Sequence, residues 1–290
     1  LFKQGPIMPE STQQIDTEPK VAIVTGANTG IGRETVRALF KQGYRVILAC
    51  RTQERANEAI QDIIKTVPDK PQENLEFLKL ELDSLQSVRE FAQSFLSKNI
   101  PLHLLTCNAG VMGCPFGKTR DGLEQTFAVN HLAHFLLTDL LLDKLKESAP
   151  SRIVIVSSGL HKKATDKTLP LTQEKLNDPN SYDRFGAYNN SKLCNVLHAN
   201  ELTRRLRKEG INNVTVNSLH PGVVKTELVR NFPTPVKILY APISFFFLTA
   251  EQGAKTSIYV ATSPELEGVS GEYFEKSKQS KASMYAHDEK

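Results

Sequence analysis

The chain has 290 residues, 40% of them apolar, and a formal net charge of +4. That is an ordinary globular composition, with room for one large α/β domain or two small ones. The charge is dispersed, with no Lys/Arg stripe and no acidic tail, which argues against nucleic acid as a partner, and no run reaches the roughly 18 apolar residues of a spanning helix.

Residues 1–19 carry Pro6, Pro9 and Pro19 without hydrophobic periodicity and read as a flexible N-terminal arm. From there to residue 290 the pattern is that of one domain. Strand-like runs at Val21–Thr25, Arg45–Ala49, Leu75–Leu80, Leu102–Thr106, Arg152–Val156 and Val214–Ser218 alternate with helical patterns such as Val88 to Leu96 and Leu132 to Leu145. Several of the strands are apolar without alternation, as in a parallel sheet covered on both faces. The expected fold is therefore α/β: a Rossmann-type, doubly wound parallel sheet of about seven strands flanked by helices. Insertions at about 160–187 and 225–250 follow the fifth and sixth strands, on the sheet edge where such folds bind ligands.

The first strand runs into Thr25-Gly26-Ala27-Asn28-Thr29-Gly30-Ile31-Gly32, which then opens a helix. Gly26 permits a sharp turn, Gly30 lets backbone approach a pyrophosphate, and Gly32 allows close packing of the helix. The helix N-terminus presents amides and a positive dipole end to phosphate, so Gly26, Asn28, Thr29, Gly30, Ile31 and Gly32 form a candidate dinucleotide cradle. The second strand ends in Ala49-Cys50-Arg51-Thr52. A carboxylate usually marks an NAD site there; Arg51 instead suits the 2′-phosphate of NADP, with Arg33 as a second candidate cation.

Tyr188-Asn189-Asn190-Ser191-Lys192 heads a helical stretch, and its i, i+4 spacing places phenol and ammonium on one face. A lysine charge close to the phenol is expected to favour phenolate and to tune an acid/base pair. Cys50, Cys107, Cys114 and Cys194 form neither a CxxC pair nor a zinc-spaced cluster. No metal is expected, and four free thiols suit a reducing, intracellular compartment.

TGxxxGIG, Asn108-Ala109-Gly110, Val156-Ser157-Ser158, YxxxK and His220-Pro221-Gly222, in that order, resemble the short-chain dehydrogenase/reductase family over about Val21 to Phe274. Strings such as GANTGIGRET, ILACR and VNHLAHFLLTDLLL resemble its retinol dehydrogenase branch. IPLHLL and SPELEGVSGEYF are also similar to the related dehydrogenase named for its X-chromosome location, and SKLCNVLHANEL to the catalytic domain of the WW-domain oxidoreductase.

The resemblance implies an oxidoreductase with Tyr188 as acid/base and Ser158 as hydrogen-bond donor to the substrate oxygen. Lys192 would serve both the phenol and the nicotinamide ribose, and Asn130 would anchor a proton-relay water. It further implies that Asn108, Ala109 and Gly110 pack along the cofactor and that Pro221, Gly222, Val223 and Thr226 hold its carboxamide end. Where the family places Asp-Leu beside adenine, this chain has Glu81-Leu82, with Asp83 as the alternative carboxylate.

The implied substrate is a lipophilic aldehyde or ketone, retinal above all. A different lipid, sterol, polyprenoid or xenobiotic carbonyl, or an adaptor with vestigial chemistry, remain as alternatives. Phe232, Ile238, Leu239, Tyr240, Ile243, Phe245, Phe246 and Phe247 read either as a substrate lid or as core. Such a lid could also touch a membrane surface. A homodimer is left open. So is an anchor to the endoplasmic reticulum, because the chain opens on Leu1.

Overall fold

The computed structural model describes residues 18–164, 172–225 and 247–287. Strands β1 (Val21–Thr25), β2 (Arg45–Cys50), β3 (Leu75–Lys79), β4 (Leu104–Cys107), β5 (Ser151–Val156), β6 (Val214–His220), β7 (Tyr273–Glu275) and β8 (Lys278–Ser280) form one eight-stranded sheet. Its order is β3-β2-β1-β4-β5-β6-β7-β8. Pairing is parallel from β3 through β7, and β8 runs antiparallel to β7. The order reverses between β1 and β4, and a crevice opens beyond the carboxyl ends of the strands at that switch point.

Successive side chains of each strand feed two separate cores. Ile23 and Ile47 join one cluster with Phe91 and Phe95 of α3 (Leu85–Leu96), Leu137 and Leu141 of α5 (Ala133–Glu147), and Leu202 of α7 (Arg184–Lys208). Ala22, Val24, Val46 and Leu48 point the other way. They meet Leu39 and Phe40 of α1 (Gly30–Lys41), Ile63 of α2 (Gln53–Thr66), and Val260 of α8 (Ala250–Thr262). The short helices α4 (Gln125–Phe127) and α6 (Gln173–Leu176) precede α5 and α7. Both faces are apolar, which is why these strands read as continuous runs rather than alternating ones.

Two expectations are adjusted. Leu102 lies outside β4, since its amide donates to Ser148 Oγ at 2.9 Å instead of entering the ladder. The sheet also has one strand more than about seven. β7 and β8 are three residues each and are joined by Lys276 and Ser277, both at positive φ (54° and 56°). Such a two-residue turn usually advertises itself with Asn-Gly or Gly, and here it does not.

The ends of the 225–250 insertion are pinned together. Lys225 N donates to Leu248 O at 3.0 Å, and Leu248 N to Val223 O at 2.9 Å. Most of the phenylalanine-rich stretch, from Phe232 to Phe246, lies outside the described residues, as does Thr226. Among the described residues no helix is long and apolar enough to cross a membrane.

Candidate active site

Beyond β1 the chain turns at Gly26 (φ +63°) and Gly30 (φ +55°), backbone conformations that L side chains rarely adopt. A Cβ on Gly32 would lie 2.3 Å from the carbonyl oxygen of Gly26 and 2.6 Å from Asn108 Nδ2. The loop therefore closes only around glycine. Thr29 caps α1 through its backbone alone, with no side-chain bond to the first-turn amides and no acid in that turn. An uncapped helix start facing a cleft suits a phosphate. The neighbouring loop is tied in by Thr25, whose Oγ1 accepts the amides of Asn108 and Ala109, both at 2.9 Å. Asn108 Nδ2 returns a bond to Thr25 O at 2.8 Å. This glycine cradle fits a dinucleotide.

Gly26, Asn28, Thr29, Gly30, Ile31, Gly32, Arg51, Leu82, Asn108, Ala109, Gly110, Tyr188, Lys192 and Pro221 all line one cleft of about 650 Å³. The sequence reading named every one of them. Gly32→Ala is expected to weaken dinucleotide binding at least about tenfold, roughly 1.4 kcal/mol, because the new methyl meets backbone that cannot yield. Fluorescence titration with NADPH, alongside a thermal melt to verify folding, measures this; wild-type affinity would mean that the loop does not cradle the ligand.

Other expected residues sit differently. The Glu81 carboxylate turns to Lys79 (3.0 Å) and Arg120 and lies outside the cleft lining, whereas Asp83 is on it. Arg33 is drawn to Glu34 (3.4 Å) and Asp62 (3.5 Å) and also lies off the lining. The cation beside Arg51 is instead Arg55, one turn along on α2. Gly222 has φ +92° and packs at Leu248, and Val223 is 55% exposed; among the described residues of this group, Pro221 alone is on the lining.

Asp183 starts α7 by accepting from Phe185 N (3.1 Å) and Gly186 N (2.8 Å). The helix then carries Tyr188 and Lys192 into the interior, 4% and 3% exposed. Lys192 Nζ donates to Val156 O at 3.0 Å and stands 5.7 Å from the Tyr188 ring centroid. Ser158 follows β5 close enough to Tyr188 to favour its ionised form, while its Oγ accepts Leu160 N at 3.2 Å.

Asn130 lies in a π-helical turn, Ala128–Leu132, a local widening common at functional sites. Its side chain is fully engaged. Oδ1 accepts Val111 N at 2.8 Å, and Nδ2 donates to Val111 O (2.9 Å) and Ser191 Oγ (3.0 Å). Its carbonyl oxygen accepts from Asn195 Nδ2 and lies beside His134 Nδ1, each at 3.2 Å. That oxygen can only accept, so Nδ1 carries the His134 proton, and Nε2 accepts the Thr25 hydroxyl at 2.9 Å. Burial holds His134 down at about 3, keeping it neutral.

The same burial reverses one electrostatic expectation. The Tyr188 hydroxyl is pushed up to about 12, burial outweighing the opposing influence of nearby Ser158, and burial brings Lys192 down to about 8. Desolvation drives both groups toward their neutral forms. Tyr188 is thus a protonated phenol at neutral pH, an acid ready to donate.

The cleft walls beyond Tyr188 and Lys192 include Val111, Cys114, Pro115, Gln125 and Val129, which the sequence did not single out as site residues. Nor did it find Asn195, although its place three residues after Lys192 on α7 was a usable signal. Among the described residues no group of three or more His, Cys, Asp or Glu could hold a metal.

Residues 20–169 match the family model described as short chain dehydrogenase. The chain is 46% identical over 280 residues to retinol dehydrogenase 14 of Mus musculus, covering 93% of this chain and 81% of that protein. It is 43% identical over 268 residues to the WW domain-containing oxidoreductase of Homo sapiens, covering 91% of this chain and 63% of that protein. An uncharacterised protein from Mycobacterium paratuberculosis has the same fold, with a TM-score of 0.70 at 29% identity over 93% of this chain and 87% of that one.

Proposed function

The chain belongs to the short-chain dehydrogenase/reductase family, oxidoreductases of carbonyl and CH–OH groups, and we propose that it is an NADP(H)-dependent member that reduces a lipophilic aldehyde of the retinal type. The observation that carries this reading is the placement of buried Tyr188 and Lys192 on the glycine-cradle cleft, with Ser158 just behind the lining and close to the Tyr188 hydroxyl. Arg51 and Arg55 on the cleft lining support NADP over NAD, since arginine stands directly after β2 where an NAD site usually has a carboxylate. Apolar walls at Val111, Pro115 and Val129 and the likeness to retinol dehydrogenase 14 support a lipophilic substrate.

The dinucleotide, when bound, supplies the hydride taken up by the carbonyl carbon. Ser158 and Tyr188 hold the carbonyl oxygen with their hydroxyls as negative charge develops on it. Tyr188 passes its proton to that oxygen, and Lys192 stabilises the phenolate left behind. Asn130, locked by Val111 and Ser191, keeps its main-chain oxygen aimed at the side chains behind Lys192.

Ser158→Ala is expected to lower kcat about 10²–10³-fold with little change in KM, the cost of one lost oxyanion donor; steady-state kinetics measure it, and an unchanged kcat removes Ser158 from the chemistry. The reading itself is tested by NADPH consumption against retinal, straight-chain aldehydes, steroid ketones and quinones. The highest kcat/KM is expected with retinal. A faster sterol or quinone would move the substrate class, and tight NADPH binding without turnover of any carbonyl would make the protein an adaptor.

A further inference from the structure

His161 is fully buried on the 3-10 turn Gly159–Lys163, directly after the catalytic serine. Its two ring nitrogens have separate partners, and those partners settle the tautomer. Nδ1 lies 2.6 Å from the carbonyl oxygen of Ser158, which can only accept. Nε2 lies 2.9 Å from the amide nitrogen of Ser283, which can only donate. The ring is therefore neutral, with its proton on Nδ1. Burial also holds His161 below the ordinary histidine range.

A buried imidazole is a costly way to fill space unless both nitrogens are used. The turn does not need this side chain to close, because the His161 main-chain amide already donates to Ser158 O at 3.0 Å. The ring adds a second donor to that oxygen, and it packs on Tyr273 of β7 with centroids 4.8 Å apart. The segment that holds Nε2 is anchored separately on α7, where Asn200 Nδ2 donates to Ala286 O at 2.8 Å. A rigid frame built from β7, α7 and the chain's last described residues thus ends on the backbone of Ser158.

We propose that His161 is a positioning residue for Ser158, its Nδ1–H fixing the serine's peptide while Ser283 holds the ring in the required tautomer. The role rests on the oxidoreductase reading, because it orients a hydroxyl that acts only in that chemistry.

Three substitutions separate the two ring bonds. In His161→Asn the side-chain amide stands where Nδ1 stood and can still donate to Ser158 O. His161→Gln reaches the Nε2 position and can keep only the Ser283 contact. His161→Leu keeps the bulk and neither bond. The expected result is a kcat about tenfold or more lower for the Leu and Gln variants, recovery toward wild type for Asn, and NADPH affinity unchanged in all three. Nitrogen-15 NMR of the wild-type ring is expected to show a protonated Nδ1 and a bare Nε2, and amide exchange at Ser283 should be fast in the Leu and Asn variants and slow in Gln.

The opposite tautomer, or wild-type kcat in all three variants once folding is verified by thermal melts, overturns the proposal. So does a kcat that tracks melting temperature alone, which would make the ring a plug. If the wild-type protein turns over no carbonyl at all, the oxidoreductase reading fails, while the NMR and exchange measurements still report on the ring's two bonds.

Discussion

Tyr188→Phe is expected to cut turnover by about 10²–10⁴-fold, the range for loss of a general acid, while leaving NADPH affinity within about twofold. The ring is 4% exposed and packs equally well without its hydroxyl, so the fold should tolerate the change. What disappears is the one phenol hydroxyl among the residues lining the cleft, which lies close to Ser158. Without it a developing alkoxide has one donor in place of two and no proton to collect. Single-turnover kinetics with NADPH and an aldehyde, paired with a binding titration, separate chemistry from affinity. Near-normal turnover would dismiss Tyr188 as the acid.

The shifted protonation states give the wild-type reaction a pH signature. Burial brings Lys192 to about 8, below the usual lysine range, so its ammonium is present on the acid side of that value and lost above it. The ammonium is what stabilises the phenolate formed when Tyr188 donates. Reduction is therefore expected to hold level from neutral pH toward 8 and to fall above it. The phenol itself, held up at about 12, stays protonated across the same window. A reduction rate that rises through pH 8 would contradict this order of events.

Much of this architecture was legible because the responsible forces are local. β1 to β6 announce themselves as short apolar runs, since helices cover both faces of the sheet. Gly26, Gly30 and Gly32 sit where strand gives way to helix, and Tyr188 and Lys192 share one face of α7, so spacing alone brings each set together. What stayed hidden depends on partners distant in sequence. Glu81 faces away from the cleft because Arg120 draws it, and Arg33 is taken by Asp62. The bond between His161 and Ser283 spans 122 residues. The phenol's upward shift follows from depth of burial, which no motif records, and a lysine four residues away suggested the opposite sign. β7 and β8 are too short for periodicity and turn without glycine.

Arg51→Asp is expected to lower kcat/KM for NADPH by about 10²–10³-fold and to raise it for NADH, changing the ratio of the two by more than either alone. The guanidinium is exposed at the mouth of the cleft, just beyond β2, where the adenosine ribose of a dinucleotide in this cradle would lie. It can meet a 2′-phosphate with two parallel N–H···O bonds. Hydrogen bonds to charged groups contribute about 1.5–3 kcal/mol each in favourable settings, and exposure puts Arg51 toward the lower end. Aspartate removes that attraction, sets a negative charge against the phosphate, and supplies the acceptor that a ribose diol uses. The switch should be incomplete, because Arg55 lies one helical turn away on the same lining. Adding Arg55→Gln should then lower NADPH efficiency further without helping NADH. The informative quantity is the ratio of catalytic efficiencies before and after substitution, taken at fixed ionic strength because the phosphate contact is screened by salt. A wild-type protein that prefers NADH, or a ratio that Arg51→Asp leaves unmoved, would take Arg51 out of the site and NADP out of the proposed function.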